Sequence, residues 1–140
     1  MDLLNGENPP KKKRINVKKK GNTYELDVVN FFKSLGYTKV MSSRASSKML
    51  DDCKIDLNFI PYNVQCKAGY NANRPKWDVE KSKSDILIKQ KYPKNEAEQI
   101  LKKPFLLFHK LEGNTQLVTM NRQFFEVLMK SYLTLNPIIE

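Results

Sequence analysis

Apolar residues recur along this chain at two spacings, one typical of helices and one typical of strands. Over residues 23–35 they fall three to four positions apart, which predicts an amphipathic helix. Asn22 and Glu25 are spaced as in a capping box at its start, and Gly36 is placed to end it. The spacing leaves a second role open for Glu25, that of a carboxylate directed at a metal site.

The second half of the chain alternates helical and strand patterns. Helices are predicted over 78–91 and 96–102, and Asn121 is positioned to cap a closing helix. The expected core face of this last helix consists of Phe124, Phe125, Leu128 and Leu133. Strands are predicted over 37–42, 105–108 and 116–120.

The stretch 54–67 alternates with a period of two. Apolar Ile55, Leu57 and Phe59 alternate with polar residues, and the same pattern continues through Val64 and Cys66, which predicts two short strands joined by a turn near residues 61–62. With a two-residue loop, Asp56 is expected opposite Lys67 and Asn58 opposite Gln65, so that all four side chains share one face. A shift of one residue in the register would separate them.

Length and polarity limit the class of protein. A chain of 140 residues suffices for one domain with its own core. We place this domain at 21–140, behind a flexible basic arm at 1–20. No apolar run approaches the roughly 20 residues of a membrane span, so we expect a soluble intracellular protein with no membrane partner, in the cytoplasm or nucleoid. Residues 10–14 resemble a nuclear-import signal, which leaves the nucleus as an alternative location.

Basic residues outnumber acidic ones by 25 to 15, and the formal net charge of +10 favours polyanionic partners, nucleic acid before anionic membrane. Hydroxyl and cationic side chains suit phosphate oxygens, although many segments rich in such residues are ordinary solvated surface. The candidates for nucleic-acid binding are Lys18, Lys19, Lys20, Arg44, Ser46, Ser47, Lys48, Arg74 and Lys76. Tyr70 and Trp77, which lie among basic residues, are expected either to stack on unpaired bases or a partner subunit or to pack on the domain's own core.

The chain has two cysteines and one histidine without zinc-ligand spacing, so neither a zinc site nor a disulfide framework is predicted. Oxygen and ammonium groups are the more promising chemistry. Asp56 and the amide oxygen of Gln65 are candidate ligands of Mg²⁺, with Mn²⁺ as an alternative, and Lys67 is a candidate to orient water or neutralise a phosphate. A second carboxylate is needed, and Glu25 and Asp52 are the candidates. The alternative to a metal site is that these side chains form an ordinary solvated polar face of a hairpin.

Four segments in order resemble the PD-(D/E)XK nuclease superfamily: residues 21–25, a strand near Val40, residues 54–57 and residues 64–67. The early Gly-Asn-Thr-Tyr-Glu segment and the serine-rich loop are similar to archaeal-type Holliday-junction resolvases. The Gln-x-Lys pattern of residues 65–67, with Asp52 upstream, resembles the Mrr-type restriction endonucleases.

The resemblance implies a restriction-endonuclease-like α/β fold, a mixed β-sheet flanked by helices. It implies Glu25, Asp56 and Gln65 at the metal, Lys67 as the catalytic lysine and Asp52 as an extra acidic residue. It also implies a Mg²⁺-dependent endodeoxyribonuclease, a symmetric homodimer and recognition of four-way DNA junctions by shape. The alternatives are a restriction-like endonuclease for duplex DNA, a non-catalytic nucleic-acid-binding module on a nuclease scaffold, and a structural subunit that meets an acidic protein.

Overall fold

The computed structural model describes residues 17–69 and 73–139, which form six helices and five short strands. In chain order these are α1 (Val17–Ser34), β1 (Met41–Ser42), α2 (Ser43–Ser46), α3 (Lys48–Asp52), β2 (Leu57–Asn58), β3 (Asn63–Ala68), α4 (Trp77–Lys91), α5 (Lys94–Leu101), β4 (Phe105–Lys110), β5 (Gln116–Thr119) and α6 (Arg122–Leu135).

The strands form one mixed sheet and one small antiparallel pair. β3 and β4 run parallel at the heart of the larger sheet, and β5 adds to β4 antiparallel in the order β3-β4-β5. A parallel pair needs a long crossover, and α4 and α5 provide it. The expected α/β class, with a mixed sheet flanked by helices, is confirmed.

Helix α1 covers one face of the larger sheet. Its buried residues Tyr24, Val28 and Phe32 follow the helical period and pack against the apolar side of β3 and β4, with the Phe32 and Phe108 rings 5.6 Å apart. Burying side chains of this size contributes about 1.5–3 kcal/mol each. Gly36 lies just beyond α1 with a φ of 109°, a left-handed conformation that glycine adopts at low cost, so the predicted end of the helix is confirmed.

The start of α1 differs from the prediction. The helix begins at Val17, so Lys18, Lys19 and Lys20 are helical rather than part of a flexible arm, and Asn22 is an internal residue rather than an N-cap. Nothing in this segment stops a helix, because Gly21 in a helix interior costs only about 1 kcal/mol relative to alanine. The rest of the expected arm, with its import-like cluster, lies outside the described residues, as does Tyr70.

The predicted hairpin at 54–67 is wrong. β2 pairs with β1, where Asn58 meets Met41, and β3 pairs with β4. The alternation fails at Phe59, whose φ of 64° turns the chain and whose side chain is 56% exposed. Asn58 therefore does not lie opposite Gln65, and Asp56 does not lie opposite Lys67.

Two other predictions near the site change. The strand expected over 37–42 is limited to β1, and the segment expected to be a loop after it forms α2 and α3. The Ser42 and Ser47 side chains cap these short helices by accepting hydrogen bonds from the backbone N–H groups of Ala45 and Leu50. Serine at an N-cap satisfies an otherwise free helix donor, so this segment gains local order from its hydroxyls.

The second half follows the predicted order, with α4, α5, β4, β5 and α6 close to the expected positions. Asn121 caps α6 as expected, because its side chain accepts from the Phe124 N–H. Trp77 packs within the domain: its indole N–H donates to the Phe105 carbonyl at 2.9 Å and its ring contacts that of Phe105. In the parts of the chain that the structure describes, no helix has both the length and the apolar character that crossing a membrane requires.

The predicted core face of α6 is wrong. No residue of the helix is buried. Phe124 alone of the four expected residues is partly buried, with its ring 5.6 Å from that of Tyr62. Phe125, Leu128 and Leu133 are 51%, 41% and 38% exposed. The amphipathic helix is present, but apart from Phe124 its apolar side is largely exposed in the described part of the chain.

Candidate active site

A pocket of about 380 Å³ opens where α1, α3 and β3 approach one another. All five residues predicted for catalysis or metal binding line it. Its complete lining is Gly21, Glu25, Asp51, Asp52, Lys54, Asp56, Gln65, Cys66, Lys67 and Ala68. Three of the four side chains expected to share a hairpin face, Asp56, Gln65 and Lys67, therefore line one pocket, although a different backbone path brings them there. The fourth, Asn58, does not line it and donates to the Ser46 hydroxyl instead.

Two backbone hydrogen bonds hold Asp56 against β3. Its N–H donates to the Val64 carbonyl at 2.7 Å, and its carboxylate accepts from the Cys66 N–H at 2.7 Å through Oδ2. Burial raises the pKa of Asp56 from 3.8 to about 7; the Cys66 N–H and the Lys67 charge oppose the rise, whereas Glu25 adds to it. The carboxyl group is thus poised to take up or release a proton near neutral pH.

Gln65 is only 2% exposed and occupies the floor of the pocket. Its amide nitrogen donates to the Lys54 carbonyl at 3.2 Å, which leaves the oxygen turned the other way. This Oε1 is buried and has no hydrogen-bond partner among the described residues. A buried acceptor without a partner costs about 1–3 kcal/mol, and a cation or a water in the pocket would remove that cost.

Lys67 follows Gln65 by two residues on β3 and so points to the same side of the sheet. Its Nζ lies 3.5 Å from Oε1 of Glu80, and Oε2 of Glu80 lies 3.6 Å from the Nζ of Lys83. Glu80 belongs to the first turn of α4 and is only 9% exposed. A largely buried carboxylate therefore restrains the lysine beside the pocket.

Glu80 was not among the predicted site residues, although the sequence carries a signal for it. Glu80, Ser84 and Ile88 are four residues apart and are the three buried residues of α4. Positions four residues apart lie on the same face of a helix, so Glu80 and Ser84 share the face on which the apolar Ile88 lies. A glutamate on such a stripe needs a cationic partner, and Lys67 is that partner.

Glu25 reaches the pocket from α1, where its side chain is largely buried. The Arg44 guanidinium lies 3.5 Å from Oε1. Burial raises the pKa of Glu25, Arg44 opposes this rise and Asp51 adds to it. Its role is therefore not that of a helix cap, since α1 starts eight residues before it.

Asp52 lines the outer part of the same pocket. Its carboxylate is 39% exposed and lies 3.6 Å from the Nζ of Lys48, one helical turn earlier. Its neighbour Asp51, which also lines the pocket, contributes to the raised pKa of both Asp56 and Glu25. The carboxyl groups of Asp51, Asp56 and Glu25 thus influence one another across the pocket.

The donor set suits a hydrated hard cation. Among the described residues, no three acidic, histidine or cysteine side chains stand close enough to hold a metal by themselves. Mg²⁺ commonly keeps several waters and takes only one or two carboxylates, and it prefers oxygen ligands throughout. Asp56, the unpartnered oxygen of Gln65 and Glu25 therefore fit such an ion, and the crowding of carboxylates favours its positive charge.

The predicted nucleic-acid-binding residues separate into groups. Lys18, Lys19 and Arg44 line a larger groove of about 720 Å³ beside the pocket. Lys20 lies over Gly69, where its Nζ would be 2.7 Å from any added Cβ. The remaining candidates lie elsewhere.

Ser46 and Ser47 are engaged in local structure rather than available as a free phosphate-binding loop. The Ser46 hydroxyl donates to the Ser42 carbonyl at 2.8 Å and accepts from the Asn58 amide, and Ser47 caps α3. Lys48 pairs with Asp52, and Arg74 and Lys76 are exposed residues before α4.

No family model, no curated protein and no solved structure matches the chain.

Proposed function

We propose that this chain is a divalent-metal-dependent DNA endonuclease that hydrolyses phosphodiester bonds in branched DNA, a four-way junction being the preferred substrate. The observation that carries the proposal is the pocket itself. It collects a carboxylate with a pKa of about 7, a buried amide oxygen without a hydrogen-bond partner and a lysine restrained by an ion pair.

Asp56 and Oε1 of Gln65 would hold the cation, Mg²⁺ or Mn²⁺, with Glu25 or Asp52 as the second carboxylate. When bound, such an ion lowers the pKa of a coordinated water and offsets charge that builds on the phosphoryl oxygens. Asp56 must lose its proton to serve as a ligand, so ion binding strengthens as the pH rises through about 7.

Lys67 acts on the phosphate side of the pocket. Its ammonium group donates hydrogen bonds to the attacking water or to a non-bridging phosphoryl oxygen, and its charge stabilises the developing negative charge there. Glu80 fixes the position of that ammonium group through the 3.5 Å ion pair. Because Glu80 sits on a helix packed against the sheet, the lysine loses little conformational freedom when substrate binds.

The preference for branched DNA rests on the resemblance to junction resolvases and on the charge of +10, which suits a partner recognised through its backbone. Such a role places the protein inside the cell, with its DNA. A duplex endonuclease of the restriction type would use the same pocket, and the substrate comparison below separates the two.

A second candidate is a nucleic-acid-binding module without catalysis. It is favoured by one observation, the ion pair of Glu25 with Arg44, which occupies the second carboxylate near Asp56. In that case the pocket would bind no divalent ion tightly, and DNA binding would persist without cleavage.

The homodimer expected from the resemblance has a candidate interface in β5 and α6. β5 is the edge strand of its sheet, its residues are all exposed and uncharged, and α6 follows it with no buried residue. In a twofold dimer the same surface patch of each subunit faces its copy, so a patch that is largely apolar avoids like-charge contacts. Phe125 and Tyr132 are about half exposed and offer roughly 100 Å² each toward the roughly 800 Å² per partner of a standard interface.

Incubation of the protein with a synthetic four-way junction and with a linear duplex of the same sequence, in Mg²⁺ and in EDTA, tests the proposal. The expected result is nicking of the junction in Mg²⁺ only. Equal cutting of the duplex would favour the restriction-like alternative, and binding without cutting in Mg²⁺ and Mn²⁺ would favour the binding module.

A further inference from the structure

A groove of about 720 Å³ lies outside the candidate active site, between α1 and the β1–α2 segment. Its α1 wall carries residues from Lys18 to Lys33, which lie fifteen positions apart and therefore about 22 Å apart along the helix. Arg44 stands on the opposite wall. The groove is thus long enough to hold several units of an extended polymer.

Charge in the groove has one sign. Lys18, Lys19, Lys33 and Arg44 line it, and its lining includes no acidic residue. Basic side chains thus stand at both ends of the α1 wall and on the opposite wall of the groove, on a chain that also bears many carboxylates. A polyanion whose charges recur along its length matches this arrangement.

The floor of the groove is apolar. Leu26 is 59% exposed and Met41 is 38% exposed, and both line the groove together with Val29. Duplex DNA presents phosphates and sugars outward and keeps its bases stacked inside, so it offers little apolar surface to such a floor. An unpaired strand can turn its bases toward the apolar side chains while its phosphates meet the lysines.

The groove leads to the candidate active site through Arg44. This residue lines the groove, and its guanidinium lies 3.5 Å from Glu25, which lines the catalytic pocket. A phosphate bound at Arg44 would therefore be next to the carboxylates.

We propose that this groove binds a single-stranded segment of nucleic acid, with its phosphates on the basic walls and its bases on the Leu26–Met41 floor, and guides a strand that is unpaired at the branch point of branched DNA to the pocket. The guiding role rests on the proposed nuclease function. Strand binding itself does not, since it needs neither the metal nor Lys67.

The test measures binding of a fluorescent single-stranded oligonucleotide to the full chain by anisotropy, in EDTA and over a series of salt concentrations. Lys33→Gln is expected to lower the slope of log K against log salt by about 0.7, which is about a fivefold change over a tenfold range of salt. Lys89→Gln is the matched control, because Lys89 is also a basic residue in the last turn of a helix but does not line the groove. It is expected to leave the slope unchanged.

The apolar floor is tested by Leu26→Gln, with Ile86→Gln as its control at a helix position of similar exposure, 59% against 56%. The first change is expected to weaken strand binding several-fold at every salt concentration without changing the slope, and the second to have no effect. A duplex and polyglutamate are expected to compete poorly.

Equal effects of Lys33→Gln and Lys89→Gln, or displacement of the strand by polyglutamate as readily as by unlabelled strand, would overturn the proposal. Equal competition by duplex would also overturn it. These outcomes are separate from the cleavage assay: strand binding that follows the groove variants without any cleavage would remove the nuclease function and leave the binding site in place.

Discussion

The raised pKa of the Asp56 carboxyl group leads to a prediction that can be tested without DNA. Its pKa is raised from 3.8 to about 7 in the folded protein, mainly by burial. An unfolded chain releases this proton near pH 4, so from pH 4 to pH 7 the folded state binds more protons than the unfolded state. Raising the pH over that range therefore destabilises the folded protein, and above pH 7 the cost stays constant.

The size of the effect follows from the shift. A difference of about three pKa units corresponds to about 4 kcal/mol of unfolding free energy, and roughly 2.6 kcal/mol of it develops between pH 5 and pH 8. Asp56→Asn removes the charge and keeps an oxygen that can accept from the Cys66 N–H. The variant is therefore expected to gain roughly 2.6 kcal/mol relative to the wild type between these two pH values.

Urea denaturation in EDTA at pH 5, 6, 7 and 8 measures this difference, since a small domain is expected to unfold in one cooperative step. Asp78→Asn, at an exposed position on α4, is the matched control. Adding Mg²⁺ at pH 8 is expected to stabilise the wild type and not Asp56→Asn. A difference between wild type and Asp56→Asn that stays constant from pH 5 to pH 8 would refute the buried, metal-facing placement of this carboxylate.

Three further substitutions test Gln65, Glu80 and the proposed α6 interface. Gln65→Glu adds a buried charge beside two carboxylates, so it is expected to lower the unfolding free energy in EDTA by roughly 3 kcal/mol and to tighten Mg²⁺ binding by about tenfold, measured by denaturation and calorimetry. Glu80→Gln is expected to lower kcat roughly tenfold with KM unchanged, and Glu80→Asp to recover part of the loss; a change in KM alone would contradict a positioning role. Phe125→Asp is expected to convert a dimer to monomer in sedimentation velocity, whereas Gln123→Asp on the same helix is not; a wild type that sediments as a monomer would exclude the α6 interface.

Local patterns were enough to predict most elements but not which strands pair. The alternation around Asp56 correctly indicated extended chain near a sheet, but alternation carries no information about the partner strand. β3 pairs with β4, some forty residues later, because the two apolar runs bury each other beneath α1. The positive φ at Phe59 is a second feature that could not be predicted, because a bulky residue rarely adopts this conformation.

The predicted site residues still lie close together although the strand pairing was predicted wrongly. The reason is that they occupy adjacent backbone segments in either arrangement. Asp56 still contacts β3, through the Cys66 N–H rather than through a ladder opposite Lys67. For Glu80, the helical spacing was enough to predict the buried face of α4. Its ion pair with Lys67 on β3 could not be predicted, because it depends on how α4 packs on the sheet. The amphipathic pattern of α6 likewise predicted the helix, while periodicity alone does not say what covers the apolar side.

The most direct test of the central claim is the rate of nicking of a four-way junction in Mg²⁺ by wild type and by Lys67→Ala, prepared identically and compared in single turnover. We expect the wild type to cut the junction and the variant, still folded and still able to bind the DNA, to be slower by about a hundredfold or more. Equal rates from the two proteins would mean that the pocket around Asp56, Gln65 and Lys67 does not perform the cleavage.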